Sequence, residues 1–201
     1  GLFDDPYAYT YRSAELNDEN IRNGYRAVAR EIAAKSIVLL KHQPDVLPIK
    51  QDVKKIALVG PLNKSKQDML GAWVAVGKAE DAIPVYDGLR AALPGAEITY
   101  IEGYDLETNE LKPLPDMRPF DIVIVAVGER AQESGEAKSK VDINVHKNHQ
   151  QLVKTLKEES GKPVVTLLMG GRPLIFSDME PFSDAVLMTW EIGRASCRER
   201  V

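Results

Sequence analysis

The chain has 201 residues, enough for one full α/β domain with an appended segment and too few for two large domains. Its composition, 44% hydrophobic and 28% charged, is ordinary for a globular protein, and a net charge of −4 leaves no basic stripe to neutralise phosphates, which argues against a nucleic-acid partner. Aliphatic stretches such as Ile37 to Leu40 are far too short to span a membrane, and Cys197, the single cysteine, offers no disulfide framework, metal cluster or redox pair.

Residues 1–20 have neither a helical nor an alternating period and carry a turn signal at Asp4-Asp5-Pro6. Tyr7, Tyr9 and Tyr11 suit a segment that packs on a surface supplied from elsewhere. Asn17 or Asp18 can cap a helix whose apolar positions, Tyr25, Val28 and Ile32, fall three to four apart as far as Ser36. Ile37-Val-Leu-Leu40 follows, then a proline-bounded turn from Pro44 to Pro48.

From Lys54 the pattern changes. Lys54-Lys-Ile-Ala-Leu-Val-Gly-Pro61 is a short apolar run ended by Gly-Pro, the signature of a strand buried on both faces. Comparable runs stand at Ile98 to Ile101, Ile122 to Val127, Val164 to Met169 and Ala185 to Trp190. Helical stretches at Val85 to Leu93 and His146 to Glu159 separate several of them, the second with Leu152, Val153 and Leu156 on one face. Strands alternating with helices predict a parallel, doubly wound sheet, whose working loops lie at the carboxyl ends of the strands. Attention therefore falls on the loops after Val59, Val127, Met169 and Trp190. His146 and His149 lack a third metal ligand nearby and read together as a solvent-facing helix start.

The loop after Val127 is the richest in chemistry. It carries Glu129, Glu133 and Glu136, an aspartate and three cations directly off a buried strand. It is either a solvated charged loop or a general acid/base site, because a carboxyl group at a sheet rim can be partly desolvated and its pKa raised. Periodicity does not choose among the three glutamates. Gly60-Pro61 is not a phosphate loop, since proline removes a donor and no Lys-Ser/Thr follows. Gly170-Gly-Arg-Pro173 reads as a tight turn with a structural arginine, Arg172, rather than an anion cradle. Trp73 is equally a core residue or a sugar-stacking platform.

Several of these stretches together resemble glycoside hydrolase family 3, in particular its bacterial periplasmic β-glucosidases. They are Gly1-Leu-Phe-Asp-Asp-Pro-Tyr7, Ala29-Arg-Glu-Ile-Ala-Ala-Lys-Ser-Ile-Val-Leu-Leu-Lys41, Ile56-Ala-Leu-Val-Gly-Pro61 and Gly71-Ala-Trp73. Val127-Gly-Glu129, Ser134-Gly-Glu-Ala137, Val141-Asp-Ile143, Gly161-Lys-Pro-Val-Val165 and Gly171-Arg-Pro-Leu174 follow in the same order. The resemblance implies a three-layer α/β sandwich with a mostly parallel sheet, incomplete at its C-terminal end. It implies a post-barrel linker over 1–20 and the truncated sandwich domain over 21–190. It also implies a site shared with a (β/α)8 barrel that bears the aspartate nucleophile and is absent from this chain.

Matched motif to motif, the resemblance implies that Glu136 is the acid/base, that Trp73 lies on a loop approaching the sugar pocket and that Glu129 is an orienting or structural partner. Glu133, which the match leaves ambiguous, is expected to bind substrate, and Arg172 to be structural or orienting. The mechanism implied is retaining: Glu136 protonates the departing oxygen and then deprotonates water, while the aspartate attacks from about 5–5.5 Å. The implied partners are β-glucosides and oligosaccharides together with the barrel of the same polypeptide. No cofactor, metal, nucleic acid or membrane is expected, and location is periplasmic or secreted by resemblance, with no signal peptide in this stretch.

The family pattern stops at Trp190. Glu191-Ile-Gly-Arg-Ala-Ser-Cys-Arg-Glu-Arg-Val201 resembles an in-frame translation of a common sequencing adapter and is expected to be read-through, taking Cys197 with it. Removing its three arginines and two glutamates would move the net charge from −4 to −5. Genomic resequencing across the junction is expected to return other codons, and the same eleven would sink the idea. The function expected is therefore that of a β-glucosidase fragment, inactive alone, hydrolysing terminal β-D-glucosyl residues in its parent. The alternatives are a β-xylosidase or other β-glycosidase of the family, and, from another class, a flavodoxin-like binding module.

Overall fold

The computed structural model describes residues 3–7, 19–74 and 77–191. Six strands form one sheet: β1 (Val38–His42), β2 (Lys55–Val59), β3 (Glu97–Ile101), β4 (Ile122–Gly128), β5 (Val164–Met169) and β6 (Ala185–Met188). Their spatial order is β1-β6-β5-β4-β2-β3, and every neighbouring pair is parallel except β1 with β6. Among the described residues three α-helices accompany them: α1 (Glu19–Ser36), α2 (Val85–Ala92) and α3 (Lys147–Ser160). The doubly wound sheet expected from the alternating pattern is present, and it is mostly parallel, as the resemblance implies, with one antiparallel edge strand.

The period of two within each strand divides the core between the sheet faces. Ala57 and Val59 of β2, Val123, Val125 and Val127 of β4, and Leu168 of β5 pack on one face with Leu152, Val153 and Leu156 of α3. Ile56, Leu58, Ile122, Ile124, Val165 and Leu167 pack on the other with Val85 and Leu89 of α2. Central strands covered on both sides favour apolar residues on both faces, which is why β4 reads as an unbroken run and β5 as one interrupted only by Thr166, whose buried hydroxyl pairs with that of Ser183 at 2.7 Å. Sheet order reverses at β2, which has β3 on one side and β4 on the other. The crevice beyond the carboxyl ends of β2 and β4 is thus the topological switch point, where open α/β sheets place ligands.

The apolar stripe of α1 does not join this core. Tyr25, Val28 and Ile32 are all more than half exposed, as is Leu39 on the edge strand, with Val38 and Leu40 close behind. The helix is tied to the rest by the Arg26–Asp81 pair at 2.6 Å and by the Trp190 indole N–H, which donates to Ser36 O at 2.9 Å.

The joint reading of His146 and His149 as solvent-facing holds for one of the two. His146 is exposed and caps α3, its Nδ1 accepting the Asn148 N–H at 3.3 Å. His149 is 1% exposed, its ring 4.1 Å from that of Tyr104, and among the described residues neither ring nitrogen has a hydrogen-bond partner. The reason is helical spacing: 149, 152, 153 and 156 share one face, so the apolar stripe of α3 begins at the histidine.

Burial, helped by the His146 charge, pushes the His149 imidazole down to about 3. An unfolded His149 protonates near 6.5, whereas the folded one stays neutral until about 3. Its contribution to stability is therefore intact above pH 6.5 and is lost as pH falls from there towards 3. Between pH 6 and 4 the chain is expected to lose about 2–3 kcal/mol of unfolding free energy through this residue. Urea titrations at each pH check this; a His149→Phe variant as steep as the parent over that window would refute it.

Candidate active site

Loops at the carboxyl ends of β2, β4, β5 and β6 converge, as the sheet topology requires. The loop after β4 is pinned by its first residue. Glu129 has a side chain only 4% exposed, and both its carboxylate oxygens are engaged. Oε2 accepts the Arg172 Nε–H at 2.9 Å, and Oε1 accepts from Lys140 Nζ at 2.6 Å. Arg172 arrives from the turn after β5 and also donates through Nη2 to the carbonyls of Glu133 and Lys138. One guanidinium therefore holds the loop on both sides of Glu136. At Lys140, burial works to lower the ammonium pKa, but its hydrogen bonds and charge pairing with Glu129 and Glu133 outweigh that and raise it.

Glu133 closes the short turn Ala131–Glu133: its Oε1 accepts the Arg130 N–H at 3.0 Å and its Oε2 lies 3.3 Å from Lys140 Nζ. Glu136 differs from both. It is exposed and has no hydrogen-bond or ion-pair partner among the described residues. Gly135 (φ +113°) and Ala137 (φ +59°) flank it, so the backbone turns sharply on both sides of the carboxyl group.

Trp73 is 74% exposed and so is not part of this domain's core. It stands beside the acidic loop: a Cβ built on Gly135 would lie 3.9 Å from the indole Nε1 and 2.8 Å from Ala72 Cβ. Any larger residue at 135 would force these two loops apart. Glu129, Glu133, Glu136, Trp73 and Arg172 are thereby gathered at one end of the sheet.

Two participants were not singled out from sequence. Asp68, 6% exposed, accepts the Ala131 N–H at 3.0 Å and the Ser65 hydroxyl. Its signal was available in Ser65-Lys-Gln-Asp68, a serine followed three residues later by an acid, as in a helix-capping box. Glu191, grouped with the tail in the sequence reading, accepts the Ser134 hydroxyl at 3.2 Å, and burial raises its carboxyl above the ordinary value. Residues 192–201, with Cys197, lie outside the described residues, as do Tyr9 and Tyr11 and the expected caps Asn17 and Asp18. Among the described residues no cluster of three His, Cys, Asp or Glu is arranged for a metal ion, and no helix is long and apolar enough to cross a membrane.

The sheet is that of an α/β domain, with an acidic loop and an exposed indole at its switch point. Residues 37–199 match the model of the glycosyl hydrolase family 3 C-terminal domain, and the chain belongs to that family. It is 33% identical to a periplasmic β-glucosidase of Salmonella typhimurium, over 96% of this chain and 28% of that protein. It is 27% identical to a β-xylosidase of Formosa agariphila, over 96% of this chain and 28% of that protein. Among solved structures, a β-glucosidase from Listeria innocua in complex with isofagomine superposes with a TM-score of 0.80 at 33% identity, covering 98% of this chain and 27% of that one. The chain thus spans less than a third of the length of these relatives, all of them glycosidases by name, and is consistent with part of a longer hydrolase.

Proposed function

We propose that this chain is the acid/base-bearing domain of a retaining β-glucosidase that removes terminal, non-reducing β-D-glucosyl residues. One observation carries the reading. At the sheet's switch point, a loop clamped by Arg172 and Glu129 presents Glu136 exposed and, among the described residues, unpaired, close to the exposed Trp73. A carboxyl group with no internal partner, on a loop held at both ends, is free to meet a glycosidic oxygen without first breaking a salt bridge.

Glu136 acts first as acid, protonating the leaving oxygen, and then as base towards water. Trp73 offers its flat face to a sugar ring. Glu133, whose side chain is 38% exposed, retains lone pairs for a sugar hydroxyl. Glu129 and Arg172 orient the loop. The nucleophile is an aspartate on a barrel domain that this chain does not contain, and closure of that barrel over the rim would exclude water from the site. Location in the periplasm follows the Salmonella relative's name.

The β-xylosidase of Formosa agariphila keeps a second sugar in play. Recovery of the full-length gene and assay against aryl β-glucosides and aryl β-xylosides separates the two. A higher kcat/KM on the glucoside is expected, and the reverse preference would make the xylosidase reading correct. The 201-residue chain is expected to hydrolyse neither substrate, because one carboxylate of a pair forms no covalent intermediate. Turnover by the purified chain would overturn the two-domain assignment.

A further inference from the structure

Two turns deliver the residues assigned to sugar contact and proton transfer. Asp68–Leu70 runs into Gly71-Ala72-Trp73, and Ala131–Glu133 runs into Ser134-Gly135-Glu136. Between them lies the buried carboxylate of Asp68. Its Oδ1 accepts the Ala131 N–H at 3.0 Å, its Oδ2 accepts the Ser65 hydroxyl, and its own N–H donates to Ser65 Oγ at 3.2 Å. Among the described residues no cation pairs with it, and its bond to Ala131 is the one hydrogen bond joining the loop after β2 to the loop after β4. Those loops touch again one residue before Glu136, where Ala72 lies against Gly135.

We infer that Asp68 is a positioning residue for the glycosidase reaction, holding the Trp73 loop and the Glu136 loop in register so that sugar ring and acid/base carboxyl meet. The inference rests on the reading of Glu136 as acid/base. The physical case is the kind of bond used. An ionised acceptor makes a shorter, stronger hydrogen bond to a backbone N–H than a neutral one does, and burial protects it from competing water. Among the described residues no other hydrogen bond joins the two loops, so its loss lets them slide. A displacement of about 1 Å at a catalytic carboxyl is enough to cost on the order of 10²-fold in rate.

The test uses the full-length enzyme and the ratio of kcat/KM on methyl β-glucoside to that on 2,4-dinitrophenyl β-glucoside. The first substrate needs a proton on its leaving group and the second does not, and the ratio is unaffected by the fraction of enzyme folded. Asp68→Ala is expected to lower the ratio by about 10-fold or more, and Asp68→Asn, which keeps an acceptor for the Ala131 N–H, by no more than about 3-fold. An equal fall on both substrates, leaving the ratio unchanged, would assign Asp68 a purely structural role and overturn the inference. Should Asp68→Ala not accumulate, Ser65→Ala decides: a fall of about 3-fold or more is expected, and an unchanged ratio overturns.

Glu136→Ala run alongside distinguishes the two levels of failure. If it collapses the ratio while the Asp68 and Ser65 variants do not, only the positioning role is lost. If it leaves the ratio intact, the acid/base reading falls and this inference with it.

Discussion

Glu136→Ala in the full-length enzyme is expected to lower kcat/KM for methyl β-glucoside or a β-linked disaccharide by about 10²–10⁴-fold, the usual contribution of a positioned acid. Hydrolysis of an alkyl glucoside generates a poor leaving group whose departure needs a proton in the transition state. A dinitrophenolate departs unaided, so kcat/KM for the dinitrophenyl glucoside is expected to stay within about tenfold of the parent. Its kcat will still fall, because water attacking the glycosyl-enzyme has lost its base. Azide is already anionic and needs no base; adding it is expected to restore kcat and to yield the β-glucosyl azide, a product expected only if the intermediate is covalent. Running Glu129→Ala and Glu133→Ala through the same series is the control that matters. If either, and not Glu136→Ala, gives the leaving-group dependence and the azide product, the acid/base has been misassigned.

The three loop glutamates illustrate what local sequence can and cannot carry. All three lie within eight residues of one another, and nothing in their spacing says which is buried. Glu129 is buried because Arg172, 43 positions downstream, and Lys140, 11 positions downstream, reach its two oxygens. Glu133 is drawn into the turn by the backbone of Arg130, a contact within local reach but one among several that a short polar stretch could make. Glu136 is left over, and the sequence picked it out only through resemblance to a family motif.

The strands were legible for the opposite reason. A strand covered on both faces is apolar at nearly every position, and that leaves a run visible without knowing any partner; in β5 only Thr166 interrupts it. The direction of β1 was not legible, because pairing sense depends on which strand lies alongside, and β6 is 143 or more positions away from it. Equally hidden was the environment of the α1 stripe, whose spacing is that of a buried helix although Tyr25, Val28 and Ile32 face outward in this chain. Amphipathic spacing shows that a face is suited to contact; it does not say with what.

Arg172→Ala is expected to be the most destabilising single change at the sheet rim. The guanidinium side chain is 19% exposed and Glu129 only 4%, so this is a desolvated pair. Deleting the cation leaves a buried carboxylate with Lys140 as its remaining partner, together with two loop carbonyls, of Glu133 and Lys138, that lose a donor. Breaking a buried pair from one side costs about 3–5 kcal/mol, and the surviving Lys140 contact places this case near the lower figure. For a domain of this size that corresponds to a fall in Tm of roughly 6–12 °C.

Arg172→Lys keeps the charge but cannot place one donor on the carboxylate and another on the carbonyls at once, so an intermediate loss is expected. The discriminating measurement is the double variant Arg172→Ala with Glu129→Gln. Neutralising the stranded carboxylate removes the largest part of the penalty, so the pair should unfold at a higher temperature than Arg172→Ala alone. Additive losses would mean that the arginine acts through packing rather than charge, and a Tm shift below about 2 °C for Arg172→Ala would mean that the clamp does not hold the loop at all.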